Sequence, residues 1–395
     1  MIEASGPIVV LGASHAGVSM AAELRSAGCD RQIILVGEED VLPYQRPDLS
    51  KDCLEGEMPE PRPLRPEAFF IDRSIERHFG HEATSIDRSE KVLIFADGSS
   101  LAYGDLVIAT GASPRGLPDA MPGAARALTL RHRGDWRHLA DRLANVQSLA
   151  VIGGGLIGLE VAAAIRSRGL YVTVIETAPR LMSRTLYPAL AVEALNRHRA
   201  AGIDVRLAVA LEAINARTVR LSDGAVVPAD LVLAAVGSKP RDELATAAGL
   251  ETRGGIVVDE CGATADPGIR AIGDCAVWGE GPSAIRHESV AATVWQARCV
   301  SAALTGGEPP PASAFRLWSN QGTLRFQMSG PVSSNIRCEV TSVGEGMLLH
   351  GYAGEELVAV QALNAMRPFN TEVAKIGQRR PQLEQAGQAV VQPHA

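Results

Sequence analysis

Two glycine-rich stretches carry the clearest chemistry in this chain. Gly153-Gly154-Gly155-Leu156-Ile157-Gly158 follows the apolar run Leu149-Ala150-Val151-Ile152 and opens a helical pattern from Leu159 to Arg168. Gly12-Ala13-Ser14-His15-Ala16-Gly17 follows Ile8-Val9-Val10-Leu11 and opens another, through Ala21, Leu24 and Arg25. A glycine turn between a strand and a helix suits a pyrophosphate, because backbone N–H groups approach it closely and a helix N-terminus favours negative charge. Gly153, Gly155 and Gly158 fill all three positions of that fingerprint; Gly12 and Gly17 hold the outer two of the first, with the small Ser14 between them. A second test asks for an acid after the next strand. Glu38 lies 26 residues after Gly12, with Glu39 beside it, and Glu176 lies 23 after Gly153. A carboxylate there accepts both ribose hydroxyls and repels a 2′-phosphate, so Glu176 favours NADH over NADPH. The plainer reading of Glu176 is a solvated strand-end glutamate.

The elements around these turns repeat as well. Asp97-Gly98 leads to the apolar run Asp105 to Gly111, and Asp223-Gly224 leads to Asp230 to Gly237. Each is a hairpin signal followed by a strand that ends in glycine. Two dinucleotide units in one chain imply a resident flavin and a visiting nicotinamide. Beyond them come a strand at Ile269-Arg270-Ala271-Ile272, ending in Gly273-Asp274, a helical run from Val290 to about Leu304, and short β-like runs after Phe315. The expected fold class is α/β: two Rossmann-like dinucleotide-binding domains, for FAD and NAD, plus a small α+β C-terminal domain. The boundaries expected are 1–113 with 245–314 for FAD, 114–244 for NAD, and 315–395 for the last domain. Its end, from Gln378, is rich in Gln, Pro and Arg and reads as a frayed tail.

Composition narrows the classes. A chain of 395 residues is too long for one core. No run reaches the roughly 18 apolar residues a membrane helix needs, and the first ten residues lead straight into a strand, so neither a span nor a secretory leader is expected. The six cysteines are scattered, without CxxC or metal-ligand spacing; they read as reduced thiols in a cytoplasmic protein, with no metal site. A net charge of -7 argues against nucleic acid or anionic lipid as the main partner.

Six motifs occur in order: the first glycine turn, Pro43-Tyr44-Gln45-Arg46-Pro47-Asp48-Leu49-Ser50-Lys51, Ala109-Thr110-Gly111, the second glycine turn through Glu160, Ala271-Ile272-Gly273-Asp274-Cys275 and Trp318-Ser319-Asn320-Gln321. Together they resemble the FAD-dependent NADH:ferredoxin reductases, of putidaredoxin reductase-like type, that serve bacterial Rieske oxygenases and class I cytochromes P450. The resemblance extends to about Asn370. It implies that Glu38 contacts the adenosine ribose, Arg131 contacts FAD, Asp274 binds the ribitol, Val290 meets the flavin at a helix start, and Trp318 stands near the flavin edge. It also implies that Lys51 and Glu160 pair beside the isoalloxazine, where the nicotinamide enters. A strand-end carboxylate can accept ribitol hydroxyls, and a helix N-terminus favours reduced-flavin charge. His15, Ala16, Glu39, Arg46, Ala83 and Ala109 join the expected cofactor-binding set. So do Thr110, Gly111, Ile157, Gly237, Gly273 and Ser289. Plainer readings stand beside these: Asp274 as a turn cap, Trp318 as a core tryptophan, Lys51 and Glu160 as unrelated surface charges, and Pro43, Tyr44, Arg46 and Pro47 as turn residues. Asn320 and Gly322 depart from the family pattern, which usually has aspartate and often an aromatic there.

The expected activity is transfer of electrons from NADH through FAD to a small [2Fe-2S] ferredoxin that feeds an oxygenase or cytochrome P450. Arg286, His287, Arg316 and Arg325 are candidates for a basic docking patch, and both a monomer and a dimer stay open. Two alternatives remain. One is an NADH oxidase or peroxidase, for which Cys53 is the nearest thiol to Lys51, disulfide chemistry itself needing two cysteines close together. The other is a flavoprotein with a binding role, like apoptosis-inducing factor, whose basic DNA-binding surfaces this acidic chain lacks.

Overall fold

The computed structural model describes residues 6–379 apart from 58, 280, 282, 283, 312 and 313, so nearly all of the Gln378–Ala395 tail lies outside the described residues. A strand such as Ile8–Leu11, apolar at every position, is stable only with both faces covered, which parallel sheets provide. It is buried throughout. Its five-stranded parallel sheet runs, in spatial order, Ile269–Ala271, Asp105–Ile108, Ile8–Leu11, Ile33–Gly37 and Ile75–Phe79. Val10 lies in register between Leu35 and Val107. Helices His15–Ser26 and Val290–Thr305 pack on one another, and Ile86, Leu93 and Phe95 of a small antiparallel sheet join the same core.

The second parallel sheet has four strands, ordered Asp204–Leu207, Tyr171–Glu176, Ser148–Ile152 and Leu231–Ala234. Helix Leu156–Ser167 follows its glycine turn, and an antiparallel meander packs Leu211, Ile214, Val219 and Leu221 against Ala150, Ile152 and Ile175. The third sheet is antiparallel, ordered Arg316–Gln321, Leu324–Ser329, Glu356–Leu363, Gly346–Ala353 and Arg337–Val343. Phe326, Leu349 and Leu363 share a core with Leu159 and Ala162 of helix Leu156–Ser167, while Leu348, Leu357 and Val360 pack with Phe369 of helix Met366–Glu372. The architecture is therefore two parallel α/β units and one smaller α+β unit. The two chain passages between the α/β units run side by side, Ala112–Pro114 pairing antiparallel with Ser238–Pro240.

The internal repeat extends to an acid at the start of each closing strand. Asp105 binds Arg31 at 2.7 Å. Asp230 accepts from the Gln147 and Ser148 backbone N–H groups at 3.0 and 3.1 Å, and these bonds, the Gln147 one foremost, with Arg217, hold its carboxyl down at about 2.

The glycine turns owe their shape to backbone contact. A Cβ on Gly12 (φ +122°) would lie 2.2 Å from the Ala109 carbonyl oxygen, and one on Gly153 (φ +111°) 2.4 Å from that of Ala235. On Gly17 and Gly158 it would come within 1.9 and 2.2 Å of the Gly12 and Gly153 carbonyl oxygens. The middle position is different. A Cβ on Gly155 meets nothing within 4 Å, and Ser14 stands at the matching place in the first turn with ordinary extended backbone, φ -132°. Folding thus needs the outer glycines, while a side chain in the middle bears only on what approaches from outside. Gly158→Ala should lower the thermal unfolding midpoint, with a cost of about 1–3 kcal/mol, whereas Gly155→Ala should leave it within about 0.5 kcal/mol of the parent. Equal midpoints for the two variants would contradict the contact geometry.

Candidate functional site

The two glycine turns open on sites of different make-up. At the first, Gly12, Ser14, Glu38, Glu39, Arg46, Ala83, Ala109 and Thr110 line one cleft, together with Tyr44, His81 and Arg241. The cleft lies at the carboxyl ends of the sheet strands, where the order reverses on either side of Ile8–Leu11, the usual ligand position in open α/β sheets. Glu38 is bound by Arg241 at 2.7 Å. Glu39 accepts from the Tyr44 hydroxyl at 3.0 Å and lies 3.3 Å from His132 Nδ1 and 3.5 Å from Arg46. Burial opposes ionisation of both acids, yet the Arg241 bond at Glu38, and His132 with Arg46 at Glu39, hold both carboxyls below the ordinary glutamate range. Two guanidinium groups stand further in. Arg46 approaches the Arg131 carbonyl at 3.5 Å, and Arg131 Nη2 donates to Asp274 at 2.9 Å while its buried Nε has no partner among the described residues. A buried N–H without an acceptor is costly. That donor, the cationic pair and the start of helix His15–Ser26 form a set that fits an anionic dinucleotide such as FAD.

His15 and Gly111 directly follow the lining residues Ser14 and Thr110 in the chain. His15 opens the helix, 3.1 Å from Gln45, and burial holds its imidazole below the ordinary range. Thr110 donates to the Arg241 carbonyl at 2.6 Å, and Gly111 lies against Arg131. Gly273 (φ +76°) turns the chain close to Ala16. Ser289 caps helix Val290–Thr305 through the Ala292 N–H at 3.1 Å, leaving the N–H groups at Val290 facing out of the helix end.

At the second turn Glu176 is held by two backbone donors, Gly154 N–H at 2.7 Å and Ala178 N–H at 2.8 Å. Gly155 begins the helix in open space and Ile157, on its first turn, is 48% exposed. Gly237 (φ +103°) passes near Arg184. An open turn, an exposed first helical turn and a fixed carboxylate suit a nucleotide that comes and goes.

Between the turns lies a buried polar cluster. Lys51 Nζ donates to Glu160 Oε2 at 2.7 Å and to the Pro47 carbonyl at 3.1 Å. Ser50 donates to the same Glu160 oxygen at 2.5 Å, and Ser319 to Oε1 at 2.6 Å. Glu160 is 4% exposed. The reading of Lys51 and Glu160 as separate surface charges does not hold, because residues 109 positions apart are in contact. Ser50 and Ser319 sit inside motifs quoted above, yet neither type by itself signals a carboxylate partner. Gln321 and His198 extend the cluster, His198 Nε2 lying 2.7 Å from Gln321 Oε1. A lone histidine on a helix gives no sequence sign of this.

The plainer reading of Trp318 as a core tryptophan does not hold, because it is 40% exposed on the first strand of the third sheet. Gly322 (φ +61°) forms the hairpin turn after Gln321, a left-handed place that an aromatic would strain. The proposed basic patch is also thinner than four residues. Arg286 is tied to Glu288 and to the Asp274 carbonyl, Arg325 to carbonyls of its own hairpin, and His287 is half-buried against Phe315 with burial lowering its pKa. Arg316 alone of the four is exposed, bonded to Asn370.

Cys53 lies beside this cluster but is 1% exposed, and burial, with Asp48, Asp52 and Glu60, pushes its thiol up to about 12. A thiol held protonated and enclosed is a poor nucleophile. Alkylation of the folded protein at pH 8 should therefore modify exposed Cys338 and spare Cys53, read by peptide mass mapping; comparable labelling of the two would restore the peroxidase alternative.

The pattern of the pyridine nucleotide-disulphide oxidoreductases matches residues 6–297. Rhodocoxin reductase of Rhodococcus erythropolis is 38% identical over 372 residues, 91% of this chain and 87% of its own. Rubredoxin-NAD(+) reductase of Pseudomonas putida is 37% identical over 370 residues, 90% of this chain and 95% of its own. Among solved structures, the covalent putidaredoxin reductase–putidaredoxin complex matches with a TM-score of 0.88 at 34% identity, over 95% of this chain and 94% of that one. With its two glycine turns and three-unit architecture, the chain belongs to the pyridine nucleotide-disulphide oxidoreductase family.

Proposed function

We propose that this chain is an NADH-dependent, FAD-containing reductase of a small [2Fe-2S] ferredoxin in an oxygenase or cytochrome P450 system. The observation that carries the reading is the meeting of the two glycine-turn units at Lys51 and Glu160, which sets a resident and a visiting dinucleotide face to face. When bound, FAD accepts a hydride from NADH and releases electrons one at a time.

The residues of the chain bind and orient. The first glycine turn, Arg46 and Arg131 receive the FAD pyrophosphate region. Glu38 meets the adenosine ribose, and Asp274, anchored by Arg131, meets the ribitol. Glu176, fixed by two backbone amides, accepts the NADH ribose hydroxyls and repels a 2′-phosphate. Lys51 spends two of its three N–H groups on Glu160 and the Pro47 carbonyl, so the third is free to meet the flavin ring. Glu160 holds that ammonium in place at 2.7 Å. Exposed Trp318, which precedes Ser319 on its strand, is assigned to the flavin edge by the resemblance to the putidaredoxin reductase-like enzymes.

The relatives name different carriers, rhodocoxin, rubredoxin and putidaredoxin. The rubredoxin reductase likeness favours a second reading, in which a one-iron rubredoxin takes the electrons. Stopped-flow reduction by NADH followed by mixing with [2Fe-2S] ferredoxins, rubredoxins or air-saturated buffer separates these readings; fastest reoxidation by a ferredoxin is expected, and fastest reoxidation by oxygen would overturn the proposal.

NADH should exceed NADPH in kcat/KM, and Glu176→Ala should narrow the gap; equal use by the unmodified enzyme would unseat Glu176. Lys51→Ala leaves Glu160 buried without its cation, a loss that typically costs about 3–5 kcal/mol. It should slow flavin reduction, and Lys51→Ala with Glu160→Ala together should cost much less than the two single losses summed. Strictly additive losses would remove the pair from the mechanism.

A further inference from the structure

The cluster around Glu160 continues away from the proposed flavin position, along Ser319 and Gln321, to His198 on helix Pro188–Ala200. His198 is 2% exposed, Gln321 2% and Ser319 fully buried. No step assigned above uses this histidine. Apolar residues of like volume would fill such a site without the cost of burying polar groups.

The proton positions along the chain follow from one end. Glu160, paired with Lys51, is an acceptor at both oxygens. Ser319 must therefore give its one proton to Glu160 Oε1 at 2.6 Å. Its oxygen then has only acceptor capacity left, so Gln321 must turn its amide nitrogen toward it, at 3.0 Å. The second hydrogen on that nitrogen points to the Met182 sulfur at 3.4 Å. Gln321 Oε1 consequently faces His198, whose Nε2 must carry the hydrogen across the 2.7 Å contact. Reversing any member would set two lone pairs against each other in a dry interior. Burial also keeps the imidazole below its ordinary pKa, so it serves as a neutral donor.

We propose that His198 is a positioning residue for the Lys51–Glu160 pair: its Nε2–H fixes the Gln321 amide, which fixes the Ser319 hydroxyl, which holds Glu160 Oε1 and leaves Oε2 to Lys51 and Ser50. This rests on the reading that the Lys51–Glu160 pair serves flavin reduction by NADH. The arrangement joins the nicotinamide-side unit, which supplies Glu160 and His198, to the third sheet, which supplies Ser319 and Gln321, and then to Ser50 and Lys51 of the flavin-side unit.

The chemistry required at position 198 is one N–H at the reach of Nε2. Glutamine offers its amide nitrogen at nearly that reach, and phenylalanine offers shape without a donor. In the FAD-loaded enzyme, His198→Phe should slow flavin reduction by saturating NADH about ten-fold, with the NADH dissociation constant little changed, while His198→Gln should stay within about two-fold of the parent. Gln321→Met removes the same chain from the next position and should match His198→Phe, which guards against a folding failure of either variant. The deciding readout is coupling: in a Glu160→Gln background His198→Phe should add no further slowing, whereas damage from lost packing alone would persist there. Equal rates for His198→Phe and the parent, equal slowing by His198→Phe and His198→Gln, or a full additional loss in the Glu160→Gln background would each overturn the assignment. If Glu160→Gln alone leaves flavin reduction unchanged, the Lys51–Glu160 reading fails instead, and the two failures are thereby told apart.

Discussion

A carboxylate enclosed as fully as that of Glu160 has to be answered by donors from its surroundings, since burying an isolated anion costs many times what any single contact returns. Its own helix cannot supply them, because the other buried residues of helix Leu156–Ser167 are glycine, alanine, leucine, valine and isoleucine. The answer comes from elsewhere in the chain: Ser50 and Lys51 from the turn after Arg46, and Ser319 from the third sheet. One buried charge therefore fixes how three units meet. The third unit is held by this cluster as well as by the shared apolar core of Phe326, Leu349 and Leu363, and so the pairing of charge and the geometry of the interface cannot be changed independently.

The same economy appears where the first cleft is closed. Glu38 directly follows strand Ile33–Gly37 of the first sheet, yet its cation, Arg241, follows the second sheet and reaches back at 2.7 Å. Thr110 and Gly111 bind the backbone of that same arginine. The antiparallel passage Ala112–Pro114 with Ser238–Pro240 brings these partners side by side. An acid expected to bind a ribose is thus already ionised and oriented, its desolvation offset by a neighbour from the other unit.

The fold class was legible because its signals are local and periodic. Apolar runs bounded by glycine turns mark parallel strands, and the repeat of that plan marks two units. The glycine positions were legible for the same reason, and the backbone contacts at Gly12, Gly17, Gly153 and Gly158 explain why those places accept no side chain. What stayed hidden was everything that depends on long-range meeting. Nothing near Glu38 announces Arg241, and nothing near Gln321 announces His198, 123 positions earlier. Trp318 was ambiguous because an aromatic in an alternating strand reads the same on either face until the sheet is packed. The docking candidates were over-read because a basic residue close in sequence to the flavin segments offers an uncompensated charge only if no carboxylate pairs with it, as Glu288 does with Arg286.

The fifth strand of the first sheet, Ile269–Ala271, and the helix Val290–Thr305 that packs on helix His15–Ser26 both follow the entire second sheet in the chain. A ribosome thus delivers four strands of the first sheet, then all of the second unit, and only afterwards the pieces that complete the first. At roughly 5–20 residues per second, strand Asp105–Ile108 waits for many seconds with an open edge of unpaired backbone groups, and helix His15–Ser26 waits as long without its partner. Such edges invite pairing with other chains. The nested order that lets Arg241 reach Glu38 therefore lengthens the interval in which a newborn chain is sticky. Slower elongation would extend that exposure, and a chaperone that shields the nascent first unit would find its natural place in this window.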